Sequence, residues 1–380
     1  MKFFHLADLH LGKRLGEFDL IADQRFVLEQ VVRAAEEREV DAVLLAGDLY
    51  DRPVPPAEAV ELLDWFLTAL TGRGIAVLAI SGNHDSPERL SFASDLLRRA
   101  GLYIAGEYAG APARVTLEDP FGPVDFTLLP FVRPSTLTPF AGARPADTDA
   151  AVGLALEALP PDGARRSVLL AHQFVTAHGA MPQVCDSEIA PIGGAEQVDA
   201  ARFAGYDYVA LGHLHGPQRV GRAEVRYAGS PLKYSFSEAL HHKSFPLVTL
   251  GAKGEAVSVE LLPLVPLHDL RELRGPLAAL TDPKNVTDPE DYLHITLTDE
   301  EELIDAVGRL RAVYPNLMKL DFDNRRTRAS GGATAAKQVE RRSLEALFCE
   351  FYEMMNGGPM SERQQSLFTG ALREIGGDRR

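Results

Sequence analysis

The 380-residue sequence has only two cysteines, Cys185 and Cys349. Neither a disulfide framework nor a cysteine-based zinc site is open to it. No apolar run approaches the ~20 residues that span a bilayer. The opening MKFFHLADLH meets a histidine and an aspartate too early for the apolar region of a secretory signal. A cytoplasmic chain with no membrane contact is the expectation. The sequence also lacks a Gly-x4-Gly-Lys-Ser/Thr segment, so an ATP-driven reaction would need a nucleotide-binding partner. Basic charge is short as well: 39 Lys and Arg stand against 54 Asp and Glu, a formal charge of −15. That argues against coating nucleic acid by bulk charge. It leaves room for a nuclease, because bound divalent metals and a local basic groove can invert the field at a site.

With 46% hydrophobic and 24% charged residues, the chain is globular. Its length calls for two or three domains. The first half alternates short apolar runs with amphipathic stretches, the pattern of an α/β domain. KFFHLA, DAVLLAG, IAVLAISG, RRSVLLAH and YDYVALG read as strands. A helix is expected over 22–38, with Val27, Val31 and Ala35 on one face. A second follows the prolines of PVPPAEAVELLDWFLTAL, with Trp65 as core. A third is expected in SPERLSFASDLLRRAG, with Ser86 as N-cap, Pro87 at the first helical position and Gly101 past the end. Hairpin-like stretches at ARVTLEDPFGPVDFTLLPFV, QRVGRAEVRYAGSP and FPLVTLGAKGEAVSVELLPL make the core mixed or two-sheeted, from residue 1 to about 265. A smaller β-α-β unit follows. Leu293, Ile295 and Leu297 alternate in one strand, and Thr298 with Glu301 forms a capping box. The helix after it carries Leu303, Ile304, Val307 and Leu310, and NLMKLDFD closes the unit as a strand. NRRTRASGGATAAK reads as a flexible linker. Two amphipathic helices end the chain, one with a stripe of Leu344, Leu347, Phe348, Phe351 and Met355. The other has a Ser361/Gln364 capping box and a stripe of Leu367, Phe368, Ala371, Leu372 and Ile375.

Five apolar strands of the first domain end in polar residues of one chemical kind: Asp8 and His10; Asp48 and Asp51; Asn83, His84 and Asp85; His172; His213 and His215. Singly, GDLYD and GNHD are ordinary turn sequences. Jointly, in sheets that place ligands at the carboxyl ends of strands, they gather Asp, Asn and His into one pocket without cysteine. That donor set suits Mn, Fe or Zn better than Ca or soft metals. His5 reads as core, and His178, His241, His242, His268 and His294 have no ligand-like company.

The blocks DLH, GDLYD, GNHD, a lone His after a strand, and GHLH resemble the five-block signature of calcineurin-like metallophosphoesterases. With FFHLADLHLG before and AGSPLKYSFSE after, the chain most resembles the SbcD family of nuclease subunits. The resemblance implies a core of two mixed sheets flanked by helices. It divides the chain into a metallophosphoesterase domain at 1–265, a DNA-capping β-α-β domain at 266–324, a linker at 325–338 and a helical pair at 339–376 that docks a partner ATPase. It implies two divalent ions, taken as Mn2+. Asp8, His10, Asp48 and His215 would hold one, and Asp48, Asn83, His172 and His213 the other, with Asp48 bridging. His84 would protonate the leaving oxygen or stabilise the pentacovalent phosphorus, its ring oriented by Asp85. The implied activity is double-strand exonuclease and single-strand or hairpin endonuclease action in DNA end processing. The implied assembly is a homodimer within a heterotetramer containing an SbcC-type coiled-coil ATPase. The alternatives are a phosphodiesterase or phosphatase of the same superfamily acting on small substrates, and a non-catalytic scaffold, which the full ligand set disfavours.

Overall fold

The structure is a computed structural model describing residues 1–177, 179–188, 196–301 and 303–325, together with 327, 352, 360–361, 363–365 and 368. The first strands are short and uniformly apolar, as strands buried on both faces must be. β1 (Lys2–Leu6), β2 (Ala42–Ala46), β3 (Ala76–Ile80) and β4 (Leu102–Ala105) lie parallel in that order. Right-handed crossovers need helices between parallel strands, and α1 (Ile21–Glu37) and α2 (Ala57–Thr71) supply the first two. As expected, Val27, Val31 and Ala35 are fully buried on α1. Trp65 is half-buried at the edge of the core, with the Arg25 guanidinium 5.0 Å from its ring centre.

A second sheet follows. β5 (Ala113–Asp119) and β6 (Gly122–Leu129) form the first hairpin, and β7 (Arg166–His172) runs parallel to β6. α3 (Thr148–Glu157) lies between them in sequence, capped by the Asp147 side chain on the Ala150 N–H. β8 (Tyr208–Gly212), β9 (Gln218–Val220) and β10 (Arg222–Tyr227) complete the order β9-β10-β8-β7-β6-β5. The chain then returns to the first sheet as β11 (Ser244–Thr249) and β12 (Ser258–Pro263). β11 pairs antiparallel with β1 and gives the order β12-β11-β1-β2-β3-β4.

The two six-stranded sheets pack face to face. Between them Phe3, Leu44, Leu78 and Ile80 meet Phe126, Leu128, Val168, Leu170 and Tyr208. Phe3 makes edge contacts with Phe126 and Tyr208 at 5.8 and 5.7 Å. A separate cluster packs α1 and α2 on the outside of the first sheet, and another packs α3 on the outside of the second. His5 belongs to this core, as expected. Its Nδ1 lies 3.0 Å from the Tyr208 hydroxyl and its Nε2 3.1 Å from the Leu211 carbonyl, and burial lowers its pKa to about 3.

Two local expectations are corrected. The segment after Ser86 is not one helix. Ser86 caps a single turn, Pro87–Leu90, before Ala93 turns left-handed at φ 57° and the chain restarts at Ser94. Phe92 and Leu96 are 81% and 70% exposed, so no apolar stripe holds a continuous helix down. Further on, the Thr298/Glu301 capping box does not form, because the Thr298 N–H stays paired with the Gly275 carbonyl. The helix there, α4 (Ala306–Arg311), begins later and is capped by Asp305. Leu310 is buried, but Ile304 is 86% exposed rather than facing a core. The strand expected at 292–297 forms as β14 (Tyr292–Leu297). It lies between β13 (Leu270–Gly275) and β15 (Leu317–Phe322) in a three-stranded sheet, with Leu293, Ile295 and Leu297 buried.

The chain divides into two compact units. One comprises Met1–Glu272, Asp288–His294 and Tyr314–Lys319; the other comprises Leu273–Thr287, Ile295–Val313 and the described part of the remainder. The linker and the apolar stripes of the terminal helices fall almost wholly outside the described residues. The Ser361/Gln364 box is described and forms both ways: Ser361 N–H donates to the Gln364 side chain at 2.9 Å, and Gln364 N–H to Ser361 Oγ at 3.5 Å. Among the described residues no helix is long and apolar enough to cross a membrane.

The inter-sheet layer carries stability. Phe126→Ala is expected to lower the unfolding free energy by about 3–5 kcal/mol. Phe92→Ala, at an exposed position, should stay within about 0.5 kcal/mol. Urea unfolding of both variants checks the contrast.

Candidate metal centre

The strand ends named from sequence come together. β1, β2 and β3 run parallel in one sheet, β7 and β8 run parallel in the other, and the carboxyl ends of all five open on one edge of the sandwich. The backbone turns sharply there. Asp8, His10, Asp48 and His213 all have positive φ, at 54°, 43°, 51° and 107°. Four strained residues within one site mark a place where the surroundings over-determine the chain. The loops are also crowded. A Cβ on Gly82 would fall 2.1 Å from Asp48 Oδ1, and one on Gly212 would fall 2.0 Å from the Ala46 carbonyl and 2.7 Å from His172 Nδ1. Only glycine lets these backbones approach so closely.

Two groups of donor atoms result. His10 Nε2 and His215 Nε2 face each other at 3.2 Å, and Asp8, His10 and His215 each bring a donor within 4.8 Å of the others. Beside them, Asn83 Oδ1 lies 3.0 Å from His172 Nε2 and 3.0 Å from His213 Nδ1. Asp48 Oδ2 stands between the groups, 3.7 Å from His10 Nε2 and 3.3 Å from His172 Nε2. All seven residues expected as ligands therefore line one pocket, five of them buried.

The protonation of the rings follows from their partners. His172 Nδ1 sits 2.8 Å from the Ala46 carbonyl, which can only accept, so Nδ1 keeps a proton and Nε2 is the nitrogen that offers a lone pair once its own proton is lost. The Asp51 carbonyl does the same for His84 at 2.9 Å. Burial lowers the His10 and His213 pKa values, to about 3 for His213, which keeps both rings neutral. Burial raises Asp8 to about 7, while Asp48 is held below the usual range: burial opposes its charge, but His172 and His10 outweigh it. His172 would be lowered by burial too, yet the Asp48 and Asp8 carboxylates pull it up to about 9. The neutral His10 and His213 rings aim lone pairs into a buried space that already holds carboxylate charge, and among the described residues His10 Nδ1 has no hydrogen-bond partner. Such a space is short of positive charge, and its O and N donors fit a divalent cation.

One expected role is corrected. Asp85 does not orient the His84 ring. Its carboxylate accepts the main-chain N–H groups of Leu49, Tyr50 and Gly82 at 3.1, 2.9 and 2.9 Å, clamping the second and third strand-end loops together. Neither oxygen bonds to the ring, which the Asp51 carbonyl holds instead. Asp51 also accepts from Lys13 Nζ at 2.7 Å.

Sequence reasoning missed what stands behind the ligands. The Gln24 side chain donates to the His10 carbonyl at 2.8 Å, and the Tyr234 hydroxyl donates to the Leu9 carbonyl at 2.5 Å. Ser187, Glu188, Glu238 and Lys243 surround His215. The only signal for Glu238 was its place in AGSPLKYSFSE, which assigned it no role.

Gly82→Ala is expected to expel the Asp48 carboxylate and cut bound divalent metal severalfold. Gly163→Ala, with nothing within 4 Å of the new Cβ, should leave it unchanged. Elemental analysis of the purified variants distinguishes the two. A pH dependence follows as well. Without metal, His172 is protonated below about pH 9, and a metal must displace that proton. Affinity should therefore rise with pH up to about 9 and level off above, with proton release on binding near neutrality. Titration calorimetry in buffers of different ionisation enthalpy measures both.

Residues 1–217 match the calcineurin-like phosphoesterase family, and residues 266–356 match a domain described as the type 5 capsule protein repressor C-terminal domain. The chain is 30% identical over 373 residues to the SbcD subunit of nuclease SbcCD from Staphylococcus epidermidis, covering 96% of each chain. It is 29% identical over 385 residues to the corresponding protein of Staphylococcus saprophyticus, covering 98% of this chain and 99% of that one. A dimetal phosphatase from Danio rerio is 14% identical and covers 70% of this chain and 96% of its own, but its TM-score of 0.38 is too low to establish a shared arrangement. Matched along nearly its whole length, and carrying its acids, amide and imidazoles on the phosphoesterase strand ends, the chain belongs to the SbcD family of calcineurin-like, divalent-metal-binding phosphoesterases.

Proposed function

We propose that this chain is the metal-dependent nuclease subunit of a DNA end-processing complex, hydrolysing phosphodiester bonds in duplex ends and in single-stranded or hairpin DNA. The observation that carries the reading is Asp48, whose one carboxylate oxygen faces ring nitrogens of both donor groups. That favours a site for two ions, taken as Mn2+: Asp8, His10, Asp48 and His215 would hold one, and Asp48, Asn83, His172 and His213 the other. A pair of divalent ions, when bound, activates water near neutral pH and neutralises charge on the attacking and leaving oxygens.

The chain's own residues do the rest. The Asp48 carboxylate accepts the His84 main-chain N–H at 2.8 Å, so the catalytic loop is fixed to the ligand loop. The His84 ring, anchored through Nδ1, keeps Nε2 free to hold a proton and pass it to the leaving oxygen. Asp85 acts only through the loop it clamps.

The assembly belongs to the same proposal: a cytoplasmic homodimer within a heterotetramer, with an SbcC-type ATPase supplying the nucleotide site this sequence lacks. In support of the dimer, exposed Phe92 and Val60 line one cleft between α2 and the turn after Ser86, an apolar surface left open among the described residues. The segment 266–324 is assigned to capping DNA and 339–376 to docking the ATPase.

Cleavage of linear duplex DNA with Mn2+, with and without the ATPase and ATP, tests the function against turnover of p-nitrophenyl phosphate. DNA left intact while the small ester is hydrolysed would favour the small-substrate alternative. His84→Ser should keep both metals and lower DNA cleavage by about 10²–10⁴. Loss of metal in that variant would make His84 a ligand instead.

A further inference from the structure

We propose that Ser187 and Glu238 are positioning residues for His215, forming with Lys243 a buried relay that fixes which imidazole nitrogen faces the metal centre; this rests on the reading of His215 as a ligand. Ser187 Oγ lies 2.9 Å from His215 Nδ1 and donates its own proton to Glu238 Oε1 at 2.7 Å. A hydroxyl has one proton to give, so its oxygen must accept from Nδ1–H. The ring is thereby held as the tautomer whose Nε2 lone pair points at His10 and the donor group.

The far end of the relay is built as firmly. Glu238 is fully buried, and Lys243 Nζ donates to its Oε2 at 2.6 Å. Its Oε1 also accepts the Tyr234 N–H at 3.2 Å and the Ser235 hydroxyl at 3.1 Å, so the carboxylate cannot swing away. Lys243 reaches past it to the His215 carbonyl at 2.9 Å, while Glu188 accepts the His215 main-chain N–H. Ring, N–H and carbonyl of one residue are all gripped by side chains outside the seven proposed ligands. His172 and His84 differ, since main-chain carbonyls hold their rings. Carboxylates behind a ligating histidine fix its orientation and raise its basicity, and removing such a partner costs about 10–100-fold in metal affinity.

A buried Glu238–Lys243 ion pair could serve stability alone, so the test removes the link and spares the pair. In full-length Ser187→Ala, Mn2+ affinity at one of two sites should fall about 10–100-fold. The melting temperature should stay unchanged, and ¹⁵N-histidine NMR of the metal-free protein should show His215 losing its single tautomer. Ser187→Thr, which keeps the hydroxyl, should restore both signals. Unchanged affinity in Ser187→Ala, set against a clear loss in His215→Ala, would overturn the relay and leave the ligand intact. Unchanged affinity in His215→Ala would overturn the ligand reading, and the relay with it. A fall in melting temperature with both sites lost equally would assign the network to stability and also overturn the proposal.

Discussion

The Asp48 carboxylate sets the terms for everything around it. It is 2% exposed, and a carboxylate taken out of water costs several kcal/mol unless its charge is matched. The protein meets it from three sides: the His84 main-chain N–H donates to it, the His172 ring, its pKa pulled up to about 9, lies 3.3 Å away and the His10 ring 3.7 Å away. Each comes from a different strand end, so satisfying one charge fixes three loops relative to one another. Asp85 completes the lock by pinning Leu49, Tyr50 and Gly82. With these contacts made, the pocket still lacks enough positive charge for its acids. That residual deficit is what makes it a metal site and not merely a polar core.

Geometry bears a matching cost. Left-handed backbone at Asp8, His10, Asp48 and His213 would relax if the loops were free. They are not free, because each continues directly from a strand buried between sheet and sheet or sheet and helix. The sandwich is the rigid frame, and its apolar layer holds the donor atoms where they are. Facing imidazole nitrogens at 3.2 Å are tolerable on these terms.

Much of this was legible because α/β chemistry is written at strand ends. An apolar run followed by Asp-x-His or Gly-Asn-His announces both the strand and the donor, and all five such ends met in one pocket. Legibility failed where a role depends on contacts between distant segments. GNHD placed Asp85 next to His84 in sequence, but its oxygens were taken by a loop some 35 residues earlier. Glu238 and Ser187 have no spacing relation to His215, so nothing local could join them. The helix expected after Thr298 failed for a similar reason: a cap competes with the sheet for the same N–H, and here the sheet won. The segment after Ser86 shows the opposite limit. Its cap and stop signals were correct, but they bounded a stretch whose Phe92 and Leu96 face solvent, leaving no continuous buried stripe to keep it helical.

The acidic balance of −15, which first argued against a nucleic-acid substrate, takes on a different meaning beside this pocket. Asp8, Asp48, Asp51 and Asp85 crowd one end of the strands, and Lys13 is already paired to Asp51. A phosphodiester meeting that surface without metal would meet negative potential. Two divalent ions would offset four carboxylate charges in the space where the phosphate must sit, and in a buried site their field is poorly screened. On the proposed reading, metal occupancy therefore governs substrate approach as well as chemistry.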